Sequence, residues 1–143
     1  MTAKEYLRKV GIMDRKINLD LRRLEELRDL SMRISGGGFE QHFNPNKAKD
    51  APFAKTMDRV IDMERKITEE IDAYVDFKEK ALGLIREVPD CEQREVLEMR
   101  YVGQMTWEEI ASECHYTTRW IYKLHGFALQ AFEKIMAEHG EKS

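Results

Sequence analysis

From Thr117 onward the chain reads Thr-Thr-Arg-Trp-Ile-Tyr-Lys-Leu-His, and no acid occurs between Glu113 and Glu133. Thr118, Arg119, Trp120, Tyr122, Lys123 and His125 are all donors, cations or flat rings. They make neither a nucleophile with its base nor a metal-ligand set. Their shared chemistry is recognition of a polyanion. Guanidinium and ammonium groups reach phosphates or the acceptor edges of bases, hydroxyls donate to phosphate, and rings lie against sugar. If these residues open a helix, its positive dipole end points the same way.

The surrounding pattern supplies that helix. Ile121, Leu124, Ala128 and Leu129 recur at helical spacing on the opposite face, and Thr117 is placed to cap a helix beginning at Thr118 and running to about Ala137. Upstream, Thr106 and Glu109 form a capping box, so a shorter helix starts at Trp107, turns Trp107, Ile110 and Ala111 inward, and runs out at Cys114. His115-Tyr116 is the tight turn between the two, and together they read as a helix-turn-helix. A third helix precedes them. Pro89 disfavours helix at Val88, Asp90 caps with Gln93 three residues on, and Val96, Leu97, Met99, Arg100 and Tyr101 form the packing side of CEQREVLEMRYV. Gly103-Gln104 makes the turn into Thr106. Residues 89–143 are therefore expected to be a three-helix DNA-binding domain.

The first 88 residues read as support. Tyr6, Val10, Met13, Ile17, Leu21, Leu24, Leu27 and Ile34 mark an amphipathic helix over residues 3–34, about 48 Å long at 1.5 Å per residue. Gly11 weakens it by about 1 kcal/mol relative to Ala, which points to a kink or a fraying first turn. Residues 35–52, with three glycines and two prolines, are expected to be a long loop, disordered or a simple tether; a loop whose Phe39, His42 and Phe43 fold back onto the hairpin or meet a partner stays open beside it. Phe53, Met57, Val60, Glu64, Ile67, Ile71, Tyr74, Lys78, Ala81, Ile85 and Val88 then alternate four and three apart, a heptad seam of about five repeats. Two helices of matched length imply an antiparallel, coiled-coil-like hairpin. Glu64 and Lys78 interrupt the seam, while Met63 and Phe77 widen it. Such a surface suits a homo-oligomer, and an intramolecular hairpin with no further partner stays open beside it. The fold class expected is all-α: a long N-terminal helical hairpin followed by a three-helix helix-turn-helix module.

Composition limits the function classes. The chain is 36% charged and 42% hydrophobic with three prolines, as in soluble helical proteins, and MTAKEYLRKV is too charged to open as a signal peptide. No membrane partner and a cytoplasmic location follow as expectations. Cys91 and Cys114 have no CxxC or paired-His spacing, so buried reduced thiols are expected rather than a disulfide or a metal site. Glu108-Glu109 are a capping pair, no Gly-rich phosphate loop follows a strand, and no enzyme is expected. Binding should need no cofactor. Charge argues against indiscriminate phosphate attraction, because the formal net charge is −3 and from Val88 on Arg94, Arg100, Arg119, Lys123, Lys134 and Lys142 face ten acids. The acids are segregated, gathering before Cys114 and after Phe132 and leaving the reading face free of them. The N-terminal 34 residues add nine Lys and Arg against six acids.

The run QREVLEMRYVGQMTWEEIASECHYTTRWIYKLHGFAL, from Gln93 to Leu129, resembles region four of bacterial sigma factors. In that pattern a Leu- and Arg-rich helix is followed by a Gly-containing turn, a Trp/Leu-Glu-Glu-Ile-Ala helix and a recognition helix ending in Ala-Leu. The whole chain, from MTAKEYL to IYKLHGFAL, also resembles phage- and prophage-encoded transcriptional regulators of the ArpU/RinA-like kind. The motif covers about a quarter of the chain. The resemblance implies double-stranded DNA as partner, contacted by Thr118, Arg119, Tyr122 and Lys123 with Thr117 as helix cap and Trp120 beside them, and a link to RNA polymerase. Thr118, Trp120 and Tyr122 stand where that pattern commonly has Arg, and no promoter-melting region precedes the module. Two other classes remain open: a small-terminase-like packaging component that carries such a module to a genome end, and a module that binds RNA polymerase without reading DNA.

Overall fold

A computed structural model describes residues 1–37 and 50–140, and among them the chain is all-helical. Helix α1 spans Ala3–Gly37, α2 Asp50–Ile85, α3 Cys91–Leu97, α4 Trp107–Cys114 and α5 Thr118–Glu138; a π-helical turn, Glu98–Val102, extends α3. No helix of the described residues is long and apolar enough to cross a membrane. The expected tether at 35–52 is helical at 35–37 and 50–52, and its remainder lies outside the described residues.

The chain packs as two units whose boundaries fall inside the long helices, Met1–Asp14 with Tyr74–Ser143 and Arg15–Ala73. In the first, Ala3, Tyr6, Leu7 and Val10 of α1 and Ala81, Leu84 and Ile85 of α2 share one core with Val88, Leu97, Tyr101, Ala128, Phe132, Ile135 and Met136. The physical reason is length. Helices α3 and α4 have 7 and 8 residues, too few to cover an α5 of 21, so its C-terminal half buries Phe132 and Met136 against the ends of the hairpin helices. The Tyr6 ring stands 4.9 Å from Phe77 and 5.9 Å from Phe132. Packing therefore divides within the helices, whereas the sequence pattern had placed the boundary after Val88.

Gly11 does not interrupt α1. The helix is continuous, and a Cβ at Gly11 would lie 2.7 Å from Gln104 Oε1. Gln104 itself takes a left-handed backbone (φ 55°) and donates its side-chain amide to the Tyr101 carbonyl, one of the carbonyls orphaned at the end of the π turn. Glycine is thus a clearance for the turn that leads into α4. A double-mutant cycle tests this. Gly11→Ala alone is expected to change stability little, since helix propensity gains about 1 kcal/mol and the displaced Gln104 bond loses about as much. In a Gln104→Ala background the same substitution should stabilise by about 1 kcal/mol, and urea titrations giving equal effects in both backgrounds would refute the clearance.

In the unit Arg15–Ala73 the two helix segments run antiparallel. Lys16 Nζ meets Glu70 Oε2 at 2.6 Å, Arg28 pairs with Glu64, and Ser31 Oγ donates to Met57 Sδ at 3.0 Å. Leu24, Val60 and Ile67 form its apolar centre with Leu27 and Met63. Leu21, expected inside, is 42% exposed, and Asp20 takes the seam position at 2%. Its carboxylate lies 3.5 Å from Arg23 and 3.8 Å from Lys66. The hydrogen bond with Glu70 holds its pKa below the ordinary carboxylate value, with Lys66, Lys16 and Arg23 adding to the effect against burial. Glu64, one of the two breaks in the seam, is likewise satisfied by Arg28. Lys78, the other, belongs to the first unit, where its Nζ lies over the Tyr74 ring at 5.5 Å. Large apolar residues remain exposed on both long helices, among them Leu19, Leu30 and Met32 on α1 and Ile61, Ile71 and Val75 on α2.

Candidate nucleic-acid interface

Three caps fix the local geometry. Asp90 accepts from Gln93 N at 3.0 Å and starts α3. Thr106 and Glu109 exchange both bonds of the capping box, at 3.1 and 2.8 Å, and start α4. Thr117 Oγ1 accepts from Trp120 N at 3.1 Å and starts α5. Between α4 and α5, His115 adopts φ 60°, and Tyr116 N donates to Ala111 O while His115 N donates to Ser112 O. That pair of bonds is a Schellman closure with histidine in the place where glycine is usual.

The rotation of α5 is set by its buried side. Ile121 and Leu124 pack with Val96, Ile110 and Ala111, and Met99, Met105, Trp107 and Cys114 close the edges of this small core. Helical geometry then turns Arg119 and Lys123, one turn apart, to the outside, and both are exposed. Neither engages an ion pair among the described residues. Tyr122 is 51% exposed with its edge on Trp107, and Trp120 is 40% exposed with its edge toward Tyr116. Thr118 is half-buried, and Thr117 is exposed but spends its hydroxyl oxygen on the cap. Of the six expected site residues, Arg119, Trp120, Tyr122 and Lys123 thus share the accessible side, while Thr117 and Thr118 shape its first turn.

His125 departs from the outward placement the sequence suggested. It is buried, and its Nε2 lies 2.6 Å from the Tyr101 hydroxyl, with the ring against Trp107 at 4.6 Å. Burial, then Lys4 and Arg100, lower its pKa to about 4, so the ring is neutral at ordinary pH. Burial likewise pushes the Tyr101 phenol up, which keeps it protonated and able to donate to the imidazole. Trp107 is the floor of this cluster. Arg100 lies over the Trp107 ring at 4.2 Å and donates to Met105 O at 2.9 Å. Arg94 is committed in the same way, to the carbonyls of Val88 and Pro89. Two of the six cations counted from Val88 onward are therefore engaged in holding turns together.

The acids confine the positive side. Glu92, Glu95 and Glu113 line a cleft with Cys114 and Tyr116, and the Tyr116 hydroxyl donates to Glu92. That bond raises the Tyr116 pKa, and the Cys114 thiol is raised by burial and then by the glutamates. Those carboxylates make the cleft negative, whereas α5 carries no acid before Glu133. Cys91, expected buried, is exposed at the first turn of α3 with its thiol donating to Glu95. No three His, Cys, Asp or Glu side chains among the described residues group as a metal-binding set.

Two residues escaped the sequence reading. Phe127 is 52% exposed and lies two turns beyond Trp120, and Gly126 is exposed beside it. The signal was present: position 127 falls outside the inward series 121, 124, 128. The chain matches no protein-family model, no curated protein and no solved structure.

Proposed function

We propose that the protein is a sequence-specific double-stranded DNA-binding regulator of transcription, of the kind carried by phages and prophages. Helix α4 positions α5, and α5 enters the major groove. The observation that carries this reading is the outward side of the first two turns of α5, where Arg119, Tyr122 and Lys123 stand exposed on a helix capped by Thr117 and seated by a buried underside. The resemblance of Gln93–Leu129 to sigma-factor region four adds to it. Arg119 and Lys123 serve as base and phosphate contacts, Tyr122 donates to phosphate, Trp120 packs on sugar, and Thr117 and Thr118 present the N-terminal turn to the backbone. The protein acts as a binder without a cofactor, in the cytoplasm. It self-associates through the apolar residues exposed on the hairpin, which pairs two modules and offsets the weak attraction of an acidic chain.

Selection of duplexes from a randomised pool, followed by titration of the winner, tests the reading. Arg119→Ala and Lys123→Ala are each expected to lower affinity about five- to tenfold and to reduce the salt slope by about 1, with unchanged helical circular dichroism. Normal affinity in both variants would sink the assignment.

The exposed apolar residues on both long helices favour a second reading, a DNA-binding packaging component that assembles as a ring. Sedimentation separates the two, since a ring of many subunits supports packaging and a monomer or dimer supports regulation. Capture of RNA polymerase with no duplex shift would instead support a polymerase-binding module.

A further inference from the structure

The unit Arg15–Ala73 carries a ring of charges between its two helices. Lys16 and Asp20 stand four residues apart on α1, and Lys66 and Glu70 four apart on α2, so each pair shares one helix face. Because the segments run antiparallel, Lys16 Nζ meets Glu70 Oε2 at 2.6 Å and Lys66 Nζ stands 3.8 Å from Asp20 Oδ2. The two carboxyls form the inner diagonal. Arg23 Nη1 adds a third cation, 3.5 Å from Asp20 Oδ1.

One oxygen of each carboxyl is left over. Asp20 Oδ2 and Glu70 Oε1 are both sealed from solvent without a hydrogen-bond partner among the described residues, and Asp20 as a whole is 2% exposed. Buried acceptors set side by side need a donor between them. A metal ion is a poor one, since Lys16, Lys66 and Arg23 already outnumber the two carboxylates and no three His, Cys, Asp or Glu side chains group here. The carboxyls lie within hydrogen-bond reach of each other, which leaves no room for a bridging water. A single proton satisfies both oxygens.

We propose that Asp20 and Glu70 are one proton-binding site. In acid, Glu70 Oε1 takes a proton from solvent and donates it to Asp20 Oδ2, while Oε2 stays an acceptor for Lys16. The carboxyl–carboxylate bond then ties α1 to α2 in place of the Lys16 ion pair. Asp20 keeps its charge because the bond with Glu70, ahead of Lys66, Lys16 and Arg23, holds its pKa below the ordinary 3.8 against burial. A lowered carboxyl contributes stability above pH 3.8 and loses it as pH falls through its folded value, so the tie survives acid that neutralises a free aspartate. The site does not depend on α5 or on DNA.

A carboxyl-carbon NMR titration of the full chain, labelled with carbon-13, tests it. The Asp20 and Glu70 signals are expected to titrate together, each carrying both steps of the pair. Glu70→Gln keeps a donor at that position and should leave Asp20 titrating below its ordinary value. Glu70→Ala removes the donor and should shift the Asp20 titration upward. If Lys66 and Arg23 alone held Asp20 down, Glu70→Ala would leave its titration unchanged or lower, a neighbouring anion having gone. That outcome, or two independent single-step curves in the wild type, overturns the shared proton. The wild-type curves decide the matter even where Glu70→Ala fails to fold.

Discussion

A fragment of residues 89–143 is expected to unfold without a cooperative transition, although it contains all three helices of the helix-turn-helix module. The full chain buries Phe132, Ile135, Met136 and Leu97 against Ala3, Tyr6, Leu7, Val10, Ala81, Leu84, Ile85 and Val88. The fragment lacks those eight partners. A fully buried large apolar side chain contributes about 1.5–3 kcal/mol, so the loss is on the order of 10 kcal/mol, as large as the whole stability of an ordinary domain. The remaining core of Val96, Ile110, Ala111, Ile121 and Leu124 is small, and isolated helices as short as α3 and α4 do not persist in water. Calorimetry and helical circular dichroism check this. A chain that keeps residues 1–14 and 74–143 through a flexible linker should recover a sharp transition, and a fragment that melts like the full chain would refute the shared core.

That expectation also marks where the sequence was legible. The caps at Asp90, Thr106 and Thr117 were readable because a capping side chain acts on backbone amides two or three residues away, and the chemistry is local. The inward series 121, 124, 128 was readable for a similar reason, since one helix carries it. The extent of the core was not, because the partners of Phe132 lie on helix ends far away in sequence. Asp20 illustrates a second blind spot. Period alone gave Leu21 to the seam, whereas the Lys66 ammonium that helps make a buried carboxylate tolerable comes from the other helix and is a tertiary fact. The turns at Gly103-Gln104 and His115-Tyr116 were readable in place, but the left-handed backbone of Gln104 and His115 was not, glycine being the residue such a conformation normally advertises. On the outward side, Arg119, Tyr122 and Lys123 were readable by elimination, once the buried positions were set. His125 was misplaced because a polar residue at an inner position needs a partner that only the fold supplies, here Tyr101 from the π turn.

His125 is also the group through which acid should loosen α5. Its folded pKa of about 4 lies below the ordinary histidine value of 6.5. As pH falls below 6.5 the unfolded chain takes up a proton at this site that the folded chain refuses until about 4. Stability from this group is therefore fully present above about 6.5, declines between 6.5 and 4, and is gone below that. The size is on the order of 3 kcal/mol at most, from a shift worth about 1.4 kcal/mol for each pH unit. His125→Gln keeps an acceptor for the Tyr101 hydroxyl without a titration in this range. Denaturant midpoints measured from pH 7.5 to 4 should fall more steeply for wild type than for the variant, and the difference isolates His125 from the many carboxylates that titrate in both. Parallel profiles would show that His125 is protonated in the fold. The consequence reaches the outward side of α5, because Trp107 makes edge-to-face contact with both His125 and Tyr122. A charged imidazole beside Arg100 and Lys4 loosens the underside of α5 before the apolar core fails, so duplex affinity should drop with acid at a higher pH than helical content does.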